Sequence, residues 1–408
     1  MTISSAVSTS GNLTLTSSDQ MNIDAPVSAN DITLNANGLT TTAAITASGA
    51  FSMSNSGASS LGAPISAGTL SLSSTMDLEG DLSVSGSMGT GGTLNILTGG
   101  TLSVATLESD IPEINIDGGT FAYTGGSFGS GEAITFNSGT ISLSGNRTLT
   151  SSNALNQRLL GTSVSGGKTI EIEGVFTLST PFSIDGGTLS VGGLANGYNL
   201  SLTSGKLEFA GGTFEVTDGA AFGDTLDITS GQMISVVGSA SAVIASDGYV
   251  SLSGGRLAVD TTLTNGGEIV LASPTTRIQG SGTFTNNGLL QGTGRIDISD
   301  TINSPTGQIR VGTGQSMRFL TSLSNNGRIE LQGGSFETGS LSNGTGSVVA
   351  MSGGATLRLN PSAPSFNAGS VLISGNADVY GDLVNDTGGV VRVGGGGVVN
   401  FFDDIDNN

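Results

Sequence analysis

Short apolar stripes recur along the chain at a nearly constant spacing. In the first 90 residues, pairs of apolar residues separated by one polar residue return every 19 residues, at Leu13 and Leu15, Ile32 and Leu34, Phe51 and Met53, and Leu70 and Leu72. Such alternation, bounded by Gly, Asn and Ser, is typical of a β-strand with one buried face. The fixed step predicts a fold made of repeated strand units.

A second pattern covers the C-terminal third, where a glycine precedes an apolar residue by two positions. Its copies follow one another at a similar but less constant step, at Gly267/Ile269, Gly288/Leu290, Gly307/Ile309, Gly327/Ile329, Gly346/Val348, Gly369/Val371 and Gly389/Val391. Between the two regions, Gly-Gly-Thr followed by alternating apolar residues persists without a strict period, for example at 93–96 and 188–191. The best helical candidate, 153–160, is predicted to be one helical turn or a loop.

Strands of four to six residues cannot bury an apolar stripe alone, but coils of two or three such strands can stack about 4.8 Å apart. We therefore predict an all-β, single-stranded parallel β-helix, a β-solenoid of about 20 coils of about 19–21 residues, with right-handed winding. It is expected to run continuously over 1–408, with regular repeats in 1–90, less regular Gly-Gly-Thr coils in 91–263 and Gly-x-apolar coils in 264–408. An array of two-sheet sandwiches is the competing architecture, but sandwich domains repeat at about 100 residues.

The alternation also predicts which side chains form the core. The inward columns are expected to contain Leu13, Leu15, Ile32, Leu34, Phe51, Met53, Leu70, Leu72, Ile269, Leu290, Ile309, Ile329, Leu331 and Val391. The intervening Ser, Thr and Asn residues are expected to face solvent and to form ladders between coils. Asn265-Gly266, Asn287-Gly288 and Asn326-Gly327 fit stacked corners, although their offsets to the next strand differ by one residue.

Composition narrows the possible functions. The 408 residues include 67 Gly but neither Cys nor His, which excludes Cys/His metal sites and a His general base. Twelve Lys and Arg against 32 Asp and Glu make a nucleic-acid surface unexpected. No apolar run reaches the length of a transmembrane segment. The first residues lack the basic and apolar regions of a signal peptide, so any secretion signal is expected outside this sequence.

The acidic and basic residues offer few candidates for chemistry. Asp117 and Asp185 each precede Gly-Gly-Thr, a weak indication of Ca²⁺ at acidic corners that lacks the nine-residue period of calcium-binding β-rolls. Asp403-Asp404 is the one adjacent acidic pair, and a turn is the simpler interpretation. Two pairs of basic residues, Arg310 with Arg328 and Arg295 with Arg318, are spaced to stack in outward rows. We predict no catalytic, cofactor-binding or metal-binding residues.

The repeats resemble two groups of bacterial extracellular proteins. The 19-residue N-terminal units look like those of filamentous-haemagglutinin-type β-helices. The Gly-Gly-Thr-Leu-x-Val units and the Asn-Asn-Gly-x-Ile-x-Leu unit at 325–331 look like the autotransporter-associated β-strand repeats of large surface proteins. This resemblance implies an extracellular or cell-surface rod that serves as an adhesin, stalk or fibre.

These observations favour a structural extracellular fibre, stalk or surface-layer element without catalysis. Neither end of the sequence shows a capping element, so we expect copies to assemble head to tail. The alternative is an adhesin module that binds carbohydrate or host and biofilm surfaces, although four Tyr and no Trp are a weak signal for sugar stacking. A second alternative is a polysaccharide lyase or hydrolase, which would need arginines and carboxylates facing each other across two or three coils.

Overall fold

In the described part of the chain, the strands pair in parallel with strands that lie about one repeat before or after them in the sequence. The structure is a computed structural model that describes residues 1–89, 91–107, 113–125, 134–150, 160–360 and 363–408. It is an all-β parallel β-solenoid of about 19 turns, with 69% of residues in strands and 1% in helix. The predicted fold class is therefore confirmed. Residues 153–159 of the helical candidate lie outside the described residues.

The chain divides into two compact units: unit 1 is Met1–Val191 with Asn199–Ser201, and unit 2 is Gly192–Tyr198 with Leu202–Asn408. The strands of unit 1 are β1 (Thr2–Ile3), β2 (Val7–Ser8), β3 (Leu13–Thr16), β4 (Gln20–Ile23), β5 (Val27–Ala29), β6 (Ile32–Ala36), β7 (Gly38–Thr41), β8 (Ile45–Asn55), β9 (Ser59–Leu61), β10 (Ile65–Leu72), β11 (Thr75–Leu78), β12 (Asp81–Gly89), β13 (Thr93–Leu97), β14 (Thr101–Leu107), β15 (Glu113–Tyr123), β16 (Ile134–Leu143), β17 (Arg147–Leu149), β18 (Ser163–Ser165) and β19 (Lys168–Leu178). The sequence then continues through β20 (Phe182–Ala195), a 3-10 turn (Gly197–Asn199) and β21 (Leu200–Phe209).

The remaining strands belong to unit 2. They are β22 (Thr213–Val216), β23 (Thr225–Thr229), β24 (Gln232–Val236), β25 (Ser241–Ile244), β26 (Tyr249–Ser253), β27 (Arg256–Val259), β28 (Thr262–Asn265), β29 (Glu268–Asn286), β30 (Leu289–Asn303), β31 (Gln308–Gly312), β32 (Ser316–Asn325), β33 (Arg328–Gln332), β34 (Ser335–Asn343), β35 (Val348–Ser352), β36 (Ala355–Leu359), β37 (Ser365–Asn367), β38 (Ser370–Ser374), β39 (Asn376–Tyr380), β40 (Leu383–Asn385), β41 (Val390–Val393), β42 (Val398–Phe401) and β43 (Ile405–Asn407). No helix among the described residues is long and apolar enough to cross a membrane.

In unit 1, the 19-residue step stacks apolar side chains in columns. Leu13 lies opposite Ile32, Ile32 opposite Phe51, and Phe51 opposite Leu70. The second column is formed in the same way by Leu15, Leu34, Met53 and Leu72. All of these side chains are buried except Leu13 and Leu15, which are half-buried in the first turn.

In unit 2, one column follows the Gly-x-apolar pattern through seven turns. Its members, in order, are Ile269, Leu290, Ile309, Ile329, Val349, Val371 and Val391. Leu331 belongs to a neighbouring column between Val311 and Met351. These side chains are buried, apart from the half-buried Val391 in the last turn.

One copy of the pattern is displaced by a residue. The sequence pairs Gly346 with Val348, but the residue stacked between Ile329 and Val371 is Val349, so the assignment of Val348 is wrong. Gly346 lies in a left-handed corner with a φ of 82°. The corner from Asn343 to Val349 is as long as those from Asn303 to Ile309 and from Asn385 to Val391, but Ser347 makes the backbone bond that Gly307 and Gly389 make there, so the glycine of this copy stands one residue too early to mark the buried position.

The glycines of the repeat allow successive turns to approach closely. A Cβ atom on Gly288 would overlap the backbone oxygen of Gly267 in the preceding turn. Any larger residue there would push two turns apart, which explains why glycine precedes the strand in most copies of the pattern.

Candidate functional site

A row of buried asparagines runs through unit 2 and is the most regular polar feature of its interior. We call it the asparagine ladder. Its eight members are Asn265, Asn286, Asn303, Asn325, Asn343, Asn367, Asn385 and Asn407. Each of the first seven donates an Nδ2 hydrogen bond of 2.6–2.8 Å to the Oδ1 atom of the next member. The seven donors are buried.

The ladder satisfies most of the amide groups that it buries. Asn265 and Asn286 donate their second Nδ2 hydrogen to the backbone oxygens of Leu289 and Gln308, both at 3.1 Å. The Oδ1 atom of Asn265, at the start of the ladder, is buried without a hydrogen-bond partner in the described structure. Inside the solenoid these bonds avoid the cost of unpaired polar groups.

The predicted asparagine corners are correct at one position and shifted at the other two. Asn265 stacks directly on Asn286, not on Asn287, and Asn325 rather than Asn326 continues the ladder. The prediction that intervening asparagines face solvent does not apply to these residues, because each buried ladder member follows a buried residue of its strand by two positions, as Asn265 follows Leu263 and Asn325 follows Leu323. The alternation of the strand therefore directs these side chains inward.

The most concentrated positive charge of unit 2 lies on its outer surface. At one outward position of successive strands, Arg256 is opposite Arg277, Arg277 opposite Arg295, and Arg295 opposite Arg318. Glu337 and then Arg358 continue the same row. We call the five arginines the arginine column. The predicted stacking of Arg295 and Arg318 is therefore confirmed.

Two carboxylates contact the arginine column. Asp297 Oδ2 lies 3.4 Å from Arg295 Nη2 and 3.9 Å from Arg277 Nη1. Glu337 Oε1 lies 3.0 Å from Arg318 Nε. Among the described residues, no carboxylate forms an ion pair with Arg256 or Arg358.

Aromatic rings extend the row beyond Arg358. The Arg358 guanidinium lies 4.1 Å from the centre of the Tyr380 ring, and Phe402 stacks on Tyr380 at 4.3 Å with the two planes 2° apart. Cation–π contact and offset stacking both favour this arrangement. Since Arg358 and Phe402 contact the ring of Tyr380, little of its faces is left to hold a sugar ring.

A groove of about 450 Å³ opens beside this end of the row. We call it the polar groove. Its lining includes Arg318, Glu337, Arg358, Asn360, Tyr380 and Asp403. It therefore combines guanidinium donors with carboxylate acceptors, and Asp403 also accepts the backbone N–H of Gly381 at 2.7 Å.

A second group of charges lies on another set of strands. Arg310 is opposite Glu330, so the predicted stacking of Arg310 on Arg328 is wrong. Both arginines instead bind Glu330, through Arg310 Nε at 3.3 Å and through Arg328 Nε. Burial alone raises the pKa of Glu330, but the hydrogen bonds and charges of Arg328 and Arg310 outweigh burial and leave that pKa below its usual value.

Arg147 is a buried cation of unit 1. Arg147 donates to the backbone oxygens of Gly125 at 2.9 Å and Tyr123 at 3.4 Å, and burial lowers its pKa. A cavity of 780 Å³ in the same unit is lined by Leu149, Phe182, Asn199 and small polar residues, with no charged side chain among its described lining.

The acidic corners do not form a cluster. No group of three or more Asp or Glu side chains able to hold a metal ion occurs in the described part of the chain. Asp403 and Asp404 follow the bend after β42, and the N–H of Asp404 donates to Asp382 at 3.3 Å. Ca²⁺ near Asp117 or Asp185 stays a prediction.

Comparison with protein-family models, with curated proteins and with solved structures finds no match to this chain. The function proposed below therefore depends on the residues and on their geometry.

Proposed function

We propose that the chain is a non-catalytic structural segment of an extracellular fibre, stalk or surface layer. The observation that carries this proposal is the asparagine ladder, which links successive turns of unit 2 by hydrogen bonds inside a core of apolar columns. Polar residues buried in this way stabilise the stacking of turns.

The composition and the pattern of the repeats support the extracellular part of the proposal. The chain has few charged residues, and its repeats resemble those of haemagglutinin-type and autotransporter-associated surface proteins. A turn that no other turn covers also presents backbone N–H and C=O groups, which end-to-end pairing between copies would use.

Location is tested on intact cells that make the protein. Antibodies raised against this chain should label the outside of unpermeabilised cells, and protease added to the cells should remove the label. A cytosolic protein serves as the control and should be labelled only after permeabilisation. Label that appears only after permeabilisation would contradict the extracellular role.

Assembly is tested by negative-stain electron microscopy of the purified chain over a range of concentrations. We expect filaments or end-to-end pairs that lengthen as the concentration rises. Single particles at every concentration would contradict head-to-tail assembly, while leaving the location result unaffected.

A further inference from the structure

The arginine column concentrates positive charge on a strongly acidic chain. Five of the twelve Lys and Arg residues occupy one outward row of unit 2, while the formal charge of the sequence is −20. Neighbouring strands are about 4.8 Å apart, and like charges directly opposite each other destabilise a sheet. Because the turns can stack without a row of like charges, the presence of this row needs an explanation other than stability.

The carboxylates nearby offset this charge only in part. Asp297 is shared by Arg277 and Arg295, and Glu337 contacts only the Nε atom of Arg318. The side chains of these three arginines remain 32–46% exposed. Outward guanidinium N–H groups are therefore available on one turn after another, and Arg256 and Arg358 are exposed without an ion pair in the described structure.

We propose that the arginine column and the polar groove bind an acidic polysaccharide. A polysaccharide lying along the arginine column would contact guanidinium groups on successive turns. Each planar guanidinium can donate two parallel hydrogen bonds to one carboxylate. In the groove, Glu337, Asp403 and Tyr380 would bond the sugar hydroxyls, while Arg318 and Arg358 hold further carboxylates. This goes beyond the structural role proposed above and does not depend on it.

The same residues favour a polysaccharide over a nucleic acid. Phosphate backbones are bound by clustered cations, whereas carboxylates are interspersed here at Asp297, Glu337 and Asp403. Acceptors placed among donors suit a ligand that carries hydroxyls as well as negative charge. Single-stranded nucleic acids also need open aromatic faces, and the faces of Tyr380 contact Arg358 and Phe402.

The test measures binding of the full chain to sodium alginate, a polyuronate, at low ionic strength. Arg256→Gln/Arg358→Gln is the test variant, since neither arginine forms an ion pair in the described structure and both are exposed. Arg392→Gln is the matched control, because Arg392 is an exposed arginine of unit 2 on another set of strands. Melting curves should show that all three proteins fold alike.

We expect the wild type to bind alginate and the double variant to bind at least about tenfold more weakly, since two charge-assisted contacts are lost. Arg392→Gln should bind like the wild type, and added salt should weaken all binding. The proposal would be overturned if the wild type failed to bind alginate or if Arg392→Gln weakened binding equally. Equal binding to neutral dextran, or tighter binding to duplex DNA, would also overturn it.

Discussion

Asn325 shows how a single residue joins three successive turns. Its Oδ1 atom accepts a hydrogen bond of 2.7 Å from Asn303, and its Nδ2 atom donates one of 2.7 Å to Asn343. Its Oδ1 atom also accepts the buried backbone N–H of Gly327 at 3.3 Å, so its loss removes the acceptor of two buried donors, while Asn343 Oδ1 keeps a bond of 2.7 Å from Ser347. Asn265 differs, since only one neighbour in the ladder depends on it.

Replacing Asn325 by Ala should lower the free energy of unfolding by about 2–6 kcal/mol, because the side chain of Asn303 and the N–H of Gly327 each lose an acceptor and each buried group left unpaired costs about 1–3 kcal/mol. Asn265→Ala should cost roughly half as much. Ser324→Ala is the control, because Ser324 is the adjacent residue on β32 and is not buried. Denaturant unfolding of the four proteins measures the differences, and equal midpoints for Asn325→Ala and Ser324→Ala would argue against a stabilising ladder.

At the scale of elements, β31 and β33 are joined by charge as well as by backbone pairing. Glu330 on β33 binds Arg310 on β31 and Arg328 on its own strand. Its pKa is lowered in the folded chain, so the ionised form stabilises the fold above the unfolded pKa. That stabilisation is lost as the pH falls through the folded value.

Glu330→Gln should therefore destabilise the chain by about 0.5–1 kcal/mol at neutral pH, the size of a partly exposed ion pair. The difference from the wild type should shrink as the pH falls below the usual carboxyl pKa of about 4.3. Unfolding midpoints measured from pH 7 down to pH 3 test this. Glu215→Gln, at an exposed carboxylate with no arginine contact in the described structure, should show no such pH dependence. Parallel curves for wild type and Glu330→Gln would contradict the expectation.

For the whole molecule, the question is whether an acidic chain needs cations to fold. The formal charge is −20, yet the turns within each unit are joined by apolar columns and by parallel backbone pairing of the described strands. These contacts involve no ligand, so folding is expected to proceed without Ca²⁺.

Adding EDTA should change the melting temperature by no more than about 1 °C, a shift that corresponds to about 1 kcal/mol or less in a chain of this size. The measurement is a thermal melt with and without chelator, followed by readdition of Ca²⁺, with Mg²⁺ as the control. A drop of many degrees that Ca²⁺ alone reverses would favour metal at the acidic corners.

The sequence predicts the fold well because the fold depends on local alternation. Ile329 and Leu331 mark one buried face within a five-residue strand, and the return of such pairs along the chain is enough to predict stacked turns. The register across turns is harder to predict, as Val348 shows. Ser347 stands where two other turns have a glycine, Gly346 lies one position earlier, and the apolar pair Val348 and Val349 fits either register.

Most of the arginine column could not be predicted from the sequence, for the same reason. Among the arginines of the column, only Arg295 and Arg318 could be aligned from spacing, since the intervals along the row are unequal. The interval from Arg310 to Arg328 equals one interval of the column, and nevertheless these two residues do not stack. Whether two residues one turn apart are neighbours depends on the corner between them, whose length does not appear in the apolar pattern.

The asparagine ladder also has a consequence for the evolution of this sequence. The sequence separation between consecutive members varies from one turn to the next, yet every hydrogen bond between them is 2.6–2.8 Å long. Differences in turn length are therefore accommodated elsewhere in each turn. A gene for this protein can gain or lose codons at an exposed corner, and the next asparagine restores the alignment before the change reaches a second turn.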